Sequence, residues 1–197
     1  MKQISKTIFT ILVVPVSLLL PALGQPQGIS ATWEKQIPQQ RGTREQQLLI
    51  KAIRHELVML PYYNVFDWLE FEVKGESTVV LRGQVVRPTL KSDAENVVKK
   101  LEAVESVVNE IEVLPLSPND DRIRRAVYRA IFNYNSPLFR YATQAVPPIH
   151  IIVKNGRVTL KGIVASKGDS NIANIKARGV SGVFEVTNEL QVEAREK

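Results

Sequence analysis

Val79-Val80-Leu81-Arg82-Gly83-Gln84-Val85 is answered farther along the chain by Val158-Thr159-Leu160-Lys161-Gly162-Ile163-Val164. Both stretches keep an apolar residue at every second position except where the glycine falls, the pattern of a strand with one face buried, and the two glycines are 79 residues apart. Val104 to Val113 matches Val183 to Val192 at the same spacing. Upstream, Leu49-x-x-x-Ile53-x-x-x-Leu57 answers Ile123-x-x-x-Val127-x-x-x-Ile131 at a spacing of 74, which leaves a longer loop in the second copy. A constant period over this length means one structural unit made twice.

Each unit reads in the same order. Apolar residues at i, i+4 and i+8 make an amphipathic first helix, which Asn119 or Asp120 is placed to cap in the second copy. Phe71-x-Val73 and Ile151-x-Val153 begin the strands, and Asn155-Gly156 between alternating runs predicts a type I′ hairpin. Gly83 and Gly162 lie inside strand patterns, where glycine marks a bulge or a close backbone approach. A second helix is expected at 93–103 and 169–178, and a last strand at 107–113 and 185–192. The expected class is α+β: two tandem αββαβ modules in two layers, each with two helices on one face of a three-stranded mixed sheet. The boundaries are 45–114 and 120–193, with a Pro-rich joint at 115–119, and this organisation predicts two separate folding units.

The pattern Ala-x-x-[Val/Lys]-x-x-x-[Leu/Val]-x-[Ala/Gly]-Val-x-x-Val-x-Asn-Glu-[Ile/Leu]-x-Val runs from Ala94 to Val113 and again from Ala173 to Val192, and it includes Asn109 and Asn188. With the upstream Val-x-Leu-x-Gly-x-Val it resembles the BON domain of bacterial osmotic-stress and envelope proteins. Three positions depart from the pattern. Ala103 stands where the second copy has Gly182, Gly75-Glu76-Ser77-Thr78 replaces the tight Asn-Gly turn, and Lys176 takes a helix position that is usually apolar. The resemblance implies a non-enzymatic protein of the cell envelope that binds phospholipid and supports envelope integrity or stress tolerance.

The 197 residues include no cysteine, which excludes disulfides, thiolate metal sites and cysteine nucleophiles. The net charge of +6 is unevenly spread. Residues 45–116 carry eight Lys/Arg against twelve Asp/Glu, and residues 117–197 carry thirteen against seven, so the two modules suit different partners. Lys2 and Lys6, the apolar run Ile8 to Leu20 and the small residues Ala22 and Gly24 have the layout of a secretory signal over residues 1–24. Export to the periplasm, or to the periplasmic face of an envelope membrane, follows as an expectation. It removes nucleic acid as a partner despite the basic isoelectric point. Residues 25–44 are polar and Pro/Gln-rich, the composition of a flexible linker.

Catalytic signatures are missing: no phosphate-binding loop, dinucleotide fingerprint, zinc-protease helix or nucleophile elbow occurs. His55 and His150 stand at unmatched places in the two copies, and Glu70, Glu72 and Glu76 read as the solvated face of a strand. No cofactor or metal is expected. The second module's first helix is the informative element. At about 100° per residue, Arg122, Arg125 and Arg129 form one stripe opposite the apolar face, with Arg124 at its flank. Guanidinium groups match phosphate bidentately. The expected lipid contact is therefore Arg122, Arg124, Arg125 and Arg129, with Phe139 and Tyr141 of the following loop at the membrane interface. The alternative is a periplasmic adaptor that binds an envelope protein through the acidic first module or the aromatic loops.

Overall fold

The computed structural model describes residues 37–75 and 77–193. The expected signal segment, and the linker as far as residue 36, lie outside that range. The first module comprises helix α1 (Ile37–Val58), strands β1 (Trp68–Lys74) and β2 (Thr78–Val85), helix α2 (Pro88–Lys99) and a last strand in two pieces, β3 (Ser106–Asn109) and β4 (Glu112–Val113). The second comprises α3 (Pro118–Ile131), a 3-10 turn at Pro137–Thr143, β5 (Ile149–Lys154), β6 (Arg157–Val164), α4 (Lys167–Arg178) and β7 (Glu185–Val192). In each sheet the first two strands are antiparallel and the last runs parallel to the middle one. The sheets are mixed and the αββαβ order is present twice, as the repeat predicts.

Both helices of a module pack on one sheet face because their apolar stripes share one core. In the first module Leu49, Ile53 and Leu57 of α1 and Leu90, Ala94 and Val98 of α2 close over Val79, Leu81 and Val85 of β2. In the second, Ile123, Val127 and Ile131 join Ala173 and Ala177 over Val158, Leu160 and Val164. Burying each of the Val, Leu and Ile side chains stabilises the fold by about 1.5–3 kcal/mol, and each alanine methyl by about 0.8 kcal/mol. Asn109 and Asn188 tie the last strand to the second helix. Asn109 Nδ2 donates to Lys91 O at 2.9 Å, and Asn188 Nδ2 to Ser170 Oγ at 2.9 Å.

Each strand glycine lies against a neighbouring carbonyl. Gly83 has φ +125° and Gly162 has φ +118°, and a Cβ on either would come within 1.9 Å of the carbonyl oxygen of Trp68 or Pro148. Asn155 (φ 53°) and Gly156 (φ 73°) both take positive φ, as a type I′ turn requires.

Several boundaries differ from the sequence reading. Helix α1 begins at Ile37, so residues 37–44 are helix and not linker. Pro88 and Pro118 are accommodated in the first turn of α2 and α3, where a missing N–H costs nothing. This draws both helices upstream of their expected starts and shortens the joint. The cap of α3 is Ser117, whose Oγ accepts Asp120 N–H at 3.2 Å. Asp120 instead clamps the hairpin, accepting the N–H groups of Asn155 at 2.9 Å and Gly156 at 2.8 Å. The joint carries little slack, since Leu114 is buried and its N–H donates to Val85 O at 2.8 Å.

The modules also meet. The described residues from Gln40 onward form one compact unit, and Val65 of the first module is buried within the second module's core. Val65 O accepts Ile151 N–H at 2.8 Å, extending the exposed edge of β5. His150 Nδ1 donates to Asp67 O at 2.6 Å, and its ring lies 5.1 Å from Trp68 and 5.7 Å from Tyr63. Lys154 pairs with Glu112 at 2.5 Å. The sequence reading of two separate folding units meets a shared core at this point.

Candidate functional site

Helix α3 is pinned by its apolar face, so its other side is presented rigidly. Ile123, Val127 and Ile131 are fully buried, whereas Arg122, Arg125 and Arg129 are exposed. Arg125 and Arg129 stand one turn apart, and Arg129 Nε donates to Arg125 O at 3.2 Å. They do not face open solvent alone. With Asn64, Val65, Phe66 and Arg87 from the first module, and Tyr128, Ala145 and Pro147 from the second, they line a crevice of about 570 Å³.

Its walls are apolar and aromatic: Phe66 meets Tyr128 edge-on at 6.1 Å. Its rim is cationic. Arg87 arrives from the residue that precedes α2, its guanidinium 4.6 Å from the Tyr62 ring centroid, a stacking that holds the charge in place. Among the described residues no carboxylate comes within ion-pair distance of Arg87, Arg125 or Arg129. Three guanidinium groups that make no ion pair among the described residues, around an apolar-walled crevice, favour an anion that carries an apolar body. Arg122 lies farther along the stripe and donates to Asn119 Oδ1 at 3.0 Å.

Two of the expected contact residues are structural. Arg124 is 3% exposed; its Nη2 donates to Val153 O at 2.8 Å and its Nη1 pairs with Asp121, so it ties α3 to β5. The angle that put it at the flank of the stripe turns it under the sheet edge. Tyr141 is 7% exposed, and its hydroxyl donates to Asp169 Oδ2 at 3.0 Å and accepts Ala165 N–H at 2.9 Å. The 3-10 turn, invisible to a search for 3.6-residue or two-residue periods, rolls that ring inward with Leu138 and leaves Phe139 outside. Phe139 pairs at 5.3 Å with Tyr134, which is 81% exposed, just past the C-terminal end of α3. Sequence reasoning missed Arg87, and it placed Phe66 among the first module's loop aromatics without joining it to the arginine stripe, because both residues come from the other module.

The loop that carries Phe66 is internally braced. Asn64 Oδ1 accepts Phe66 N–H at 2.9 Å, while the Asp67 carboxylate accepts Asn64 N–H at 3.2 Å and Val86 N–H at 2.8 Å. Burial pushes the Asp67 carboxyl above its ordinary range, against the pull of those two bonds. Burial likewise pushes the His150 imidazole down, against its bonds to the Asp67 and Asn64 carbonyls. Burial drives the Tyr63 phenol up to about 12. All three shifts arise from burial, and the three groups do not converge on a reactive centre. No group of three His, Cys, Asp or Glu among the described residues is placed to hold a metal. No described helix is long and apolar enough to cross a membrane.

The two-layer αββαβ module in tandem defines the class of protein. The BON domain family model matches residues 60–115 and 119–194, and the chain belongs to that family, a generally non-catalytic one associated with the envelope and osmotic stress. Two solved structures of CdsD, a structural protein of the type III secretion system of Chlamydia trachomatis, are similar at low level. One has 14% identity over 75% of this chain and 93% of that chain, with a TM-score of 0.30. The C-terminal domain of CdsD has 15% identity over 74% and 98%, with a TM-score of 0.27. No curated protein matches the chain.

Proposed function

We propose that the protein is an exported, non-enzymatic envelope protein that binds anionic phospholipid through the second module and the crevice beside it. One observation carries this reading: Arg87, Arg125 and Arg129, free of carboxylate partners among the described residues, surround apolar walls formed by Val65, Phe66 and Tyr128. Each basic group close to an anionic bilayer contributes about 1 kcal/mol. Three in fixed positions, with Arg122 nearby, supply a contact that weakens with salt. Tyr134 and Phe139 are placed to rest at the headgroup level, where amphipathic rings are favoured. Arg124 and Tyr141 brace the site from within.

Co-sedimentation with phosphatidylglycerol vesicles and with phosphatidylcholine vesicles tests the proposal. The wild-type chain is expected to bind the anionic vesicles alone. Changing Arg122, Arg125 and Arg129 together to Gln is expected to weaken binding on the order of 100-fold, at about 1 kcal/mol per charge lost. Arg87→Gln is expected to weaken it several-fold although it lies in the first module. Equal binding to both vesicle types, or an unaffected triple variant, overturns the reading.

A further inference from the structure

The internal repeat lets each module serve as a control for the other. Leu69, Phe71 and Val73 of β1 pair with Gly83, Leu81 and Val79, and Ile149, Ile151 and Val153 of β5 pair with Gly162, Leu160 and Val158. The two sets are therefore equivalent, 80 residues apart, and both face the helices. The β5 set is fully buried, yet the β1 set is only half-buried. The difference lies in what covers them. In the second module, Val65 enters the cleft between α3 and β5, its carbonyl takes Ile151 N–H, and the longer loop adds Leu138 and Tyr141. In the first module the corresponding cleft is an open groove of about 660 Å³, lined by Ile50, Arg54, Leu57 and Val58 of α1 along with the β1 residues, and bordered at one point by Ile163 of the same chain's second module. Strand β1 ends its sheet. The backbone N–H of Phe71, counterpart of Ile151, has no hydrogen-bond partner beyond that sheet among the described residues.

We infer that this groove receives the second module of another copy, head to tail, with the loop Ala145–Pro147 occupying the place that Val65–Asp67 occupies on β5. Ala145 aligns with Val65, so its carbonyl meets Phe71 N–H as Val65 O meets Ile151 N–H. The side chains complement each other in size: a small Ala145 faces the bulky Phe71 where a larger Val65 faces Ile151. Pro147 and Pro148 hold the loop extended; Ala145 is exposed at the rim of the crevice, Val146 is half-buried, and Pro147 is buried behind them as the loop's anchor.

Charge selects the same occupant. The first module carries eight basic against twelve acidic residues and the second thirteen against seven, so basic docks on acidic and steers the encounter. The contact already made inside one chain is then repeated between chains, a heterologous interface that propagates into a ring or filament. Pairing at an edge strand flanked by apolar pockets is a recurrent recognition mode.

Sedimentation of the full chain without lipid, across concentration and salt, tests the inference independently of vesicle binding. The wild-type chain is expected to associate with rising concentration and to dissociate with added salt. Ile50→Glu blocks the groove and Ala145→Glu blocks the loop. Both residues are exposed, so the fold survives, and each variant alone is expected to associate at least tenfold more weakly. Mixing them leaves one intact groove and one intact loop, and a 1:1 dimer with no larger species is expected. Because the chain has no cysteine, Phe71→Cys in one population and Ala145→Cys in another is expected to give a crosslinked dimer only on mixing. A chain that stays monomeric at millimolar concentration overturns the inference. A symmetric dimer indifferent to Ala145→Glu, or a mixture no different from its components, overturns it too.

Discussion

Val65→Ala separates a shared core from two modules joined by a tether. Val65 belongs to the first module by sequence and to the second module's core by position. Truncation removes two buried carbons, worth about 0.8 kcal/mol each. A cavity in a cleft closed by rigid elements adds to that, for a total of about 2 kcal/mol. The hydrogen bond from Ile151 N–H to Val65 O, at 2.8 Å, is backbone to backbone and survives the change. For a unit of this size the midpoint of thermal unfolding falls by about 4–8 °C. The decisive measurement is residue-resolved hydrogen exchange. Ile151 lies in the module that was not mutated, and its amide is expected to exchange about 30-fold faster, the factor that about 2 kcal/mol implies. A stability loss below about 0.5 kcal/mol, or faster exchange confined to residues before Ser117, refutes the shared core and restores two autonomous modules.

Two further outcomes follow from groups at the module boundary and in the sheets. Burial lowers the His150 pKa from 6.5, so the stability carried by the neutral imidazole is full above about pH 6.5 and is lost as pH falls below it. Asp67, Tyr63, Trp68 and Lys161 face this ring or its neighbours, and the raised Asp67 acts in the opposite sense in the carboxylate range. The loss of thermal stability between pH 7.5 and pH 5.5 is expected to be smaller in His150→Gln than in wild type, and an equal loss removes His150 as the cause. Gly162→Ala places a Cβ 1.9 Å from Pro148 O and is expected to cost at least about 3 kcal/mol in urea unfolding. Gly75→Ala, with nothing within 4 Å of its Cβ, is expected to cost only the left-handed backbone penalty of about 1–2 kcal/mol; similar losses for both contradict the close-approach role.

The repeat, the order of elements, the turn at Asn155-Gly156 and the core stripes were legible in the sequence because each is a local pattern. Periods of two and 3.6 residues state which face is apolar, and the self-match at 79 residues states that the pattern is used twice. The arginine stripe on α3 was legible for the same reason. Residues at the edge of a stripe were not: Arg124 and Tyr141 carry groups that solvent, lipid or a buried partner would all accept. Only Val153 O and Asp169, brought near by folding, decide for burial. Helix starts at Pro88 and Pro118 went unread because proline stops a helix or opens one according to the residues it precedes. The crevice joining Arg87 to Arg125 and Arg129, the insertion of Val65 into its neighbour's core and the groove left open beside β1 belong to the tertiary structure alone. Each depends on how two sheets sit against each other, and no periodicity within either module encodes that.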